Sequence, residues 1–378
     1  MSNVNRTETA HFSGRLGLQQ RVLPAYRIPF FDALAKACKG GMSLFAGFPR
    51  PSEAIATSDS LMVAQYTAAQ NVHLLGGALY LCWQRGVTDW LESWQPDVLI
   101  VEANPRYLAT PAAVRWMHER GRAVIAWGLG APASGGTLAG VRQKRRRQYL
   151  KQFEALISYS QRGAEEYADL GYPAERIFIA ANAAASRPSI TPPARAASFS
   201  GMPRILFVGR LQERKRVDNL LRACAALPKP IQPSLVIVGD GPVRAELEAL
   251  ARKVYPHVEF AGEHHGAELA PYFTAADLFV LPGTGGLAVQ EAMAYGLPVI
   301  VARGDGTQDD LVREQNGWQV PPDDLPGLIG TLQTALTDVS RLRKMGAESY
   351  RIVFEEINLE RMVEVFVGVL ERFKTNRQ

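Results

Sequence analysis

At 378 residues, 47% hydrophobic and 21% charged, with a formal net charge of +5, the chain has the composition of a globular protein with room for two domains. No stretch approaches the apolar length that crosses a bilayer, and the polar start MSNVNRTETAHFSG is not a secretory signal, so a cytoplasmic setting is expected. Cys38, Cys82 and Cys224 lie far apart in apolar contexts, which excludes a cysteine metal quartet and leaves core thiols as the reading.

In the first half the hydrophobic pattern predicts a helix over 29–39, a strand at Met42–Phe45 and a helix over 83–93. A strand at Val98–Val101, a helix over 111–120, a strand at Ala123–Trp127 and a helix over 139–152 follow. Residues 183–203 are rich in Ala, Ser and Pro and show no amphipathic period, which reads as a linker. Strands resume at Ile205–Val208, within Leu235–Pro242, at Val258–Gly262 and at Leu278–Leu281. A helix carrying Val217, Leu220, Leu221 and Ala225 falls between the first two of these. The last helix, Leu359–Phe373, repeats apolar residues at Met362, Phe366, Val369 and Phe373, a spacing that makes one buried face. This alternation predicts an α/β fold with parallel doubly wound sheets.

Two loops carry chemistry. After Leu278–Leu281 come Pro282 and a turn with Gly283, Thr284, Gly285 and Gly286, and a helix is predicted to begin near Leu287. Free backbone N–H groups at such a helix start suit a phosphate, and Glu291 is placed to accept hydrogen bonds from ribose hydroxyls. A Gly-rich turn by itself is weak, since most such turns only satisfy backbone geometry. Upstream, the strand Ile205–Val208 ends in Gly209 and Arg210, and Lys215 precedes the next helix. Both cations thus sit where open α/β sheets bind ligands, at a strand's C-terminal end.

The segments GRL…K, VGDGP, AADLFVLP, EAMAYGLPVI and NGW, in that order, resemble the C-terminal domain of the retaining glycosyltransferases of GT-B fold, glycosyltransferase family 4. The resemblance implies two Rossmann-like domains facing a cleft. Residues 1–182 are then an acceptor-binding domain, 183–203 the linker and 204–357 the nucleotide-sugar domain. Residues 358–378 are a C-terminal helix that packs back on the first domain. It further implies that Arg210 and Lys215 stabilise charge on the departing β-phosphate without a metal. Gly209, Gly283, Thr284, Gly285, Gly286, Leu287 and Glu291 then line the donor, most often a uridine diphosphate sugar. No cofactor is expected, since the nucleotide-sugar is itself a substrate. Retention by front-face attack lets the leaving phosphate take the acceptor's proton, so no protein base is required.

Two positions depart from the family. Gly283 stands where a glutamate usually contacts the donor sugar, and Leu129 stands where a histidine is plausible. In the first half, Pro24 and Pro29 stiffen a loop that presents Arg27 as an acceptor-side candidate, with packing of Tyr26 and Phe30 as the plainer alternative. Arg106, after the strand at Val98–Val101, has similar standing. The run Arg142, Lys144, Arg145, Arg146 and Arg147 suits either an anionic membrane surface or plain solvation. Nucleic acid ranks last because no aromatic residues interleave the cations. Polysaccharide or glycolipid biosynthesis is the expected setting. A catalytically silent nucleotide-binding partner and a sugar-nucleotide epimerase remain as alternatives.

Overall fold

The computed structural model describes residues 11–53, 55–132, 139–304 and 306–374. The polar start read above lies mostly outside them, as does Asp305. The chain divides into two units, one comprising 1–184 with 359–378 and the other 185–358.

The first unit holds strands β1 (Leu16–Val22), β2 (Met42–Gly47), β3 (Gln65–Ala68), β4 (Gln70–Leu74), β5 (Leu81–Arg85), β6 (Val98–Glu102), β7 (Ala123–Gly128), β8 (Ala155–Ser158) and β9 (Ile177–Ile179). Seven of them form a parallel sheet in the order β3-β2-β1-β6-β7-β8-β9, while β4 and β5 pair apart as an antiparallel hairpin. The strand order reverses direction between β1 and β6. Every residue of β1 except Arg21 is buried, including Gln19 and Gln20. The predicted helix over 83–93 is corrected. Residues 81–85 pair with 70–74, Gly86 turns the chain at φ 84°, and only Val87–Trp94 is helical.

The C-terminal helix, Leu359–Phe373, belongs to this unit. Its Phe366 is fully buried and packs edge-on against Phe30 and Trp127, each with ring centroids 5.0 Å away. Such geometry suits the ring quadrupoles and removes a large apolar area from water.

The second unit holds β10 (Arg204–Val208), β11 (Ser234–Val238), β12 (Val258–Gly262), β13 (Leu278–Leu281), β14 (Val299–Ala302) and β15 (Gly317–Val320). They form one sheet in the order β12-β11-β10-β13-β14-β15, with all neighbours parallel. This is the 3-2-1-4-5-6 order of the doubly wound dinucleotide-binding fold, and its reversal point lies between β10 and β13. Parallel strands covered by helices on both faces must be apolar throughout, and β13 and β14 are buried at every position.

The stretch 185–203 contains no helix or strand, yet it is not a free linker. Arg195 donates to the backbone carbonyls of Phe273, Ala276, Tyr295 and Gly296, and Arg343 donates to Ala196 O. Hydrogen bonds, chiefly from the Arg195 guanidinium to backbone carbonyls, rather than an apolar face, tie it to the rest of the second unit. Periodicity cannot register an attachment of that kind.

Candidate functional site

The reversal point of the second sheet brings together the two loops singled out from sequence. The loop after β10 runs from Gly209 to Arg216, and the loop after β13 from Pro282 to Leu287. At such a point neighbouring connections leave to opposite faces of the sheet, which opens a crevice above the strand ends.

The two loops are in contact. Thr284 N donates to Arg214 O over 3.1 Å, and Arg214 Nη1 returns a bond to Thr284 O over 3.2 Å. Lys215 Nζ donates to Thr284 O over 2.9 Å and also to Gly285 O. Lys215 is only 6% exposed, and burial, assisted by neighbouring Arg214, lowers its ammonium pKa to about 8. It thus holds the Gly-rich turn in place while remaining a positive charge at neutral pH. Arg210 is exposed, with no ion-pair partner among the described residues.

Gly283 has a steric reason. A Cβ added there would lie 2.1 Å from Arg214 O and 2.4 Å from Lys215 C, and backbone cannot swing aside as a side-chain tip can. The position is therefore closed to a glutamate in this loop conformation. Gly285 serves a different need, since its φ of 65° is left-handed backbone.

The following helix is short, Ala288–Ala294, with Leu287 exposed at its start and Glu291 in its first turn. Glu291 is half-buried, and desolvation raises its pKa with no described cation offsetting it. An uncompensated carboxylate just beyond the turn is suited to accept from sugar or ribose hydroxyls. A third loop, after β11, lies alongside the first: Leu211 N donates to Asp240 O over 2.8 Å, and a Cβ on Gly239 would stand 2.1 Å from Gly209 O. Of the loop histidines, His264 bonds Tyr272 Oη over 3.0 Å, while His265 is exposed. Asp309 and Asp310 lie in the short helix Thr307–Leu311. Among the described residues no group of three His, Cys, Asp or Glu is placed to hold a metal ion.

In the first unit, Arg27 is a buried cation rather than an exposed loop charge. It is 5% exposed, donates to Asn182 Oδ1 over 2.7 Å, and lies 5.2 Å from the Trp127 ring and 5.1 Å from that of Tyr159. Three aromatic rings and an amide occupy it, so packing is its visible role. Arg106 is exposed beyond β6, and Leu129 is exposed after β7.

The sequence reading missed a polar cluster at this unit's own reversal point, between β1 and β6. Glu102, the last residue of β6, accepts Arg21 N over 2.6 Å, and burial raises its pKa to about 7. Arg21 Nη1 meets Glu53 Oε2 at 2.7 Å, and Tyr80 Oη bonds His73 Nδ1 over 2.9 Å. The available signal was a carboxylate directly after an apolar strand, the position that faces ligands in such sheets.

The basic run lies on the helix Ala139–Leu150. Arg142, Lys144, Arg145 and Arg147 are exposed, while Arg146 donates to Pro132 O over 2.6 Å. Among the described residues no helix is long and apolar enough to cross a membrane.

Residues 202–338 match the family model of the glycosyl transferases group 1. Over 160 residues the chain is 37% identical to a GDP-mannose-dependent alpha-mannosyltransferase of Mycolicibacterium smegmatis, covering 41% of this chain and 40% of that protein. Over 142 residues it is 34% identical to the sulfoquinovosyl transferase SQD2 of Arabidopsis thaliana, covering 36% and 27%. The chain thus spans well under half the length of these relatives. In structure it is similar to Anabaena Alr3699/HepE in complex with UDP, with a TM-score of 0.68 at 16% identity, covering 95% of this chain and 99% of that one. It is also similar to the apo form of the lipopolysaccharide outer core galactosyltransferase WaaB, with a TM-score of 0.67 at 14% identity, covering 94% and 99%.

Proposed function

We propose that this chain, which carries a glycosyl transferases group 1 domain in a GT-B fold, moves a sugar from a nucleoside diphosphate donor to an acceptor hydroxyl, with retention and without a bound metal. The observation that carries this reading is the contact of Lys215 with the turn Gly283–Gly286 at the reversal point of the second sheet, on the loop that Arg210 opens. Cleavage of the sugar–phosphate bond leaves negative charge on the β-phosphate. Arg210 offers a planar fork to its oxygens and Lys215 a compact charge whose environment is already desolvated. Lys215 is held by Thr284 O and Gly285 O before the reaction, so little reorganisation is needed there as the charge develops. Glu291 accepts hydrogen bonds from the donor's hydroxyls. The leaving phosphate takes the acceptor's proton.

Uridine diphosphate is the first donor base to test because a structural neighbour was solved with UDP, and guanosine diphosphate is the second because a relative is named for GDP-mannose. The acceptor is a saccharide or glycolipid, with Arg106 on its side. The exposed cations of the helix Ala139–Leu150 are a candidate contact with an anionic membrane in a polysaccharide or glycolipid pathway. Gly283 favours one second reading, a silent nucleotide-binding partner, since the position that usually orients the sugar is closed here.

Thermal unfolding against UDP, GDP, ADP and TDP tests the site. A nucleotide at a hundred times its dissociation constant stabilises by about 2.7 kcal/mol. One of the four raises the midpoint of the wild type, and the shift is lost in Lys215→Ala and in Arg210→Ala. The second variant is the cleaner one, because exposed Arg210 holds no other element in place. No shift with any nucleotide refutes the site.

A further inference from the structure

The loops of the donor site hold more positive charge than a diphosphate uses. Arg210, Arg214 and Lys215 have no carboxylate partner among the described residues. Their cationic neighbours are compensated, Arg216 by Asp323 at 2.5 Å and Arg244 by Asp240 at 3.2 Å. Glu213, the acid of the same loop, lines a separate cavity of about 410 Å³ with Arg216, Asp218 and Glu246. Each phosphate of a sugar nucleotide carries a single negative charge, so Arg210 and Lys215 match the pair. Within these two loops Arg214 is the third cation, and Glu291, on the helix that follows, makes no ion pair with it among the described residues.

Its placement gives the surplus charge a direction. Arg214 Nη1 reaches Thr284 O in the Gly-rich turn, and a Cβ on Gly285 would stand 3.5 Å from that Nη1 and 3.9 Å from Lys215 Nζ. Two like charges side by side with no anion between them repel, an arrangement that a bound anion stabilises. Arg214 Nε is held by Gln212 Oε1 over 3.0 Å, while Nη2 has no hydrogen-bond partner among the described residues. The turn Pro282–Leu287 brings no acidic side chain, and the backbone of Arg214 and Lys215 prevents one at Gly283. Beside position 283, where a carboxylate would read neutral hydroxyls, stands the guanidinium of Arg214.

We propose that Arg214 is a specificity-determining residue that binds a carboxylate on the donor sugar, so that the donor is a nucleotide-activated uronic acid. This rests on the reading of the chain as a nucleotide-sugar transferase. A guanidinium fork pairs with a carboxylate through two parallel hydrogen bonds, while neutral hydroxyls beside it gain far less.

Calorimetric titration of the full chain with UDP, UDP-glucose, UDP-glucuronate, GDP, GDP-mannose and GDP-mannuronate tests this. With one base, the uronate binds about tenfold or more tightly than its neutral counterpart, the factor expected for one charged hydrogen-bonded pair. Arg214→Gln removes that preference while affinity for the nucleoside diphosphate alone falls less than about threefold. Equal binding of neutral and acidic sugars overturns the proposal. So does an Arg214→Gln variant that weakens nucleoside diphosphate and uronate alike, because Arg214 is then only a phosphate contact. Absence of binding by UDP and GDP themselves is a different failure. It removes the transferase reading, and the proposal with it.

Discussion

Gly283→Ala isolates the steric claim at the donor turn. The added methyl meets Arg214 O at 2.1 Å, Lys215 C at 2.4 Å and Lys215 Cα at 2.5 Å, all backbone atoms. Overpacking costs about 1–3 kcal/mol where side chains can adjust, and obstruction by backbone places this substitution at the upper end, about 3 kcal/mol. For a unit of this size that corresponds to a midpoint lowered by roughly 6–12 °C. Relief of the clash requires moving residues 214 and 215 away from the turn, which breaks the bonds from Lys215 to Thr284 O and Gly285 O. Nucleotide affinity is therefore lost together with stability. Gly330→Ala in the helix Leu325–Thr337 is the control, since nothing lies within 4 Å of its Cβ position and alanine is the better helix former. The assay is thermal unfolding of both variants with and without UDP or GDP. A Gly283→Ala protein that unfolds within about a degree of wild type and keeps its nucleotide shift refutes the reasoning.

Burial lowers the Lys215 pKa to about 8 from 10.5, so the ammonium that meets phosphate is lost as pH rises through 8. Nucleotide affinity measured by calorimetry falls between pH 7.5 and about 9.5, and Lys215→Arg, permanently charged, flattens that fall. Glu102 has its carboxyl raised from 4.5 to about 7, so folding takes up protons in that window and its ionisation costs stability as pH rises across it. Glu102→Gln therefore raises the unfolding midpoint at pH 8 and leaves it nearly unchanged at pH 4.5; a midpoint unaffected at both values contradicts the raised carboxyl. Phe366→Ala removes a fully buried ring from the contact with Phe30 and Trp127 and destabilises the first unit by about 3–5 kcal/mol in urea unfolding.

In the second unit β10, β11 and β12 were legible as short runs that end at a glycine, and β13 as an apolar run that stops at Pro282. Leu278–Leu281 is the strand observed, and Lys215 reaches the turn after it. The last helix, Leu359–Phe373, was equally plain, because one apolar face repeats along its length. In the first unit β1 escaped notice because LGLQQRV buries two glutamines on a strand covered on both faces, where no alternation survives. The hairpin of β4 and β5 escaped for the opposite reason: it is polar and largely half-exposed, and its second strand runs into a helix at Gly86. The burial of Arg27 was not legible because two prolines predict a stiff loop, whereas the chain there is a short helical turn that buries the guanidinium among aromatic rings. Nothing local marks the closeness of Gly283 to residues 214 and 215, which are about seventy positions away and meet it only through the sheet order.

The central claim is that the chain cleaves a sugar from a nucleoside diphosphate at the loops after β10 and β13. Phosphorus NMR of the full chain with UDP- and GDP-sugars, neutral and acidic, reads that cleavage directly, with slow transfer to water standing in for the acceptor. The account predicts accumulation of free nucleoside diphosphate from at least one donor, abolished in Lys215→Ala and in Arg210→Ala. Nucleotide that binds and protects the fold while every donor remains intact would contradict it, and would make the chain a silent partner.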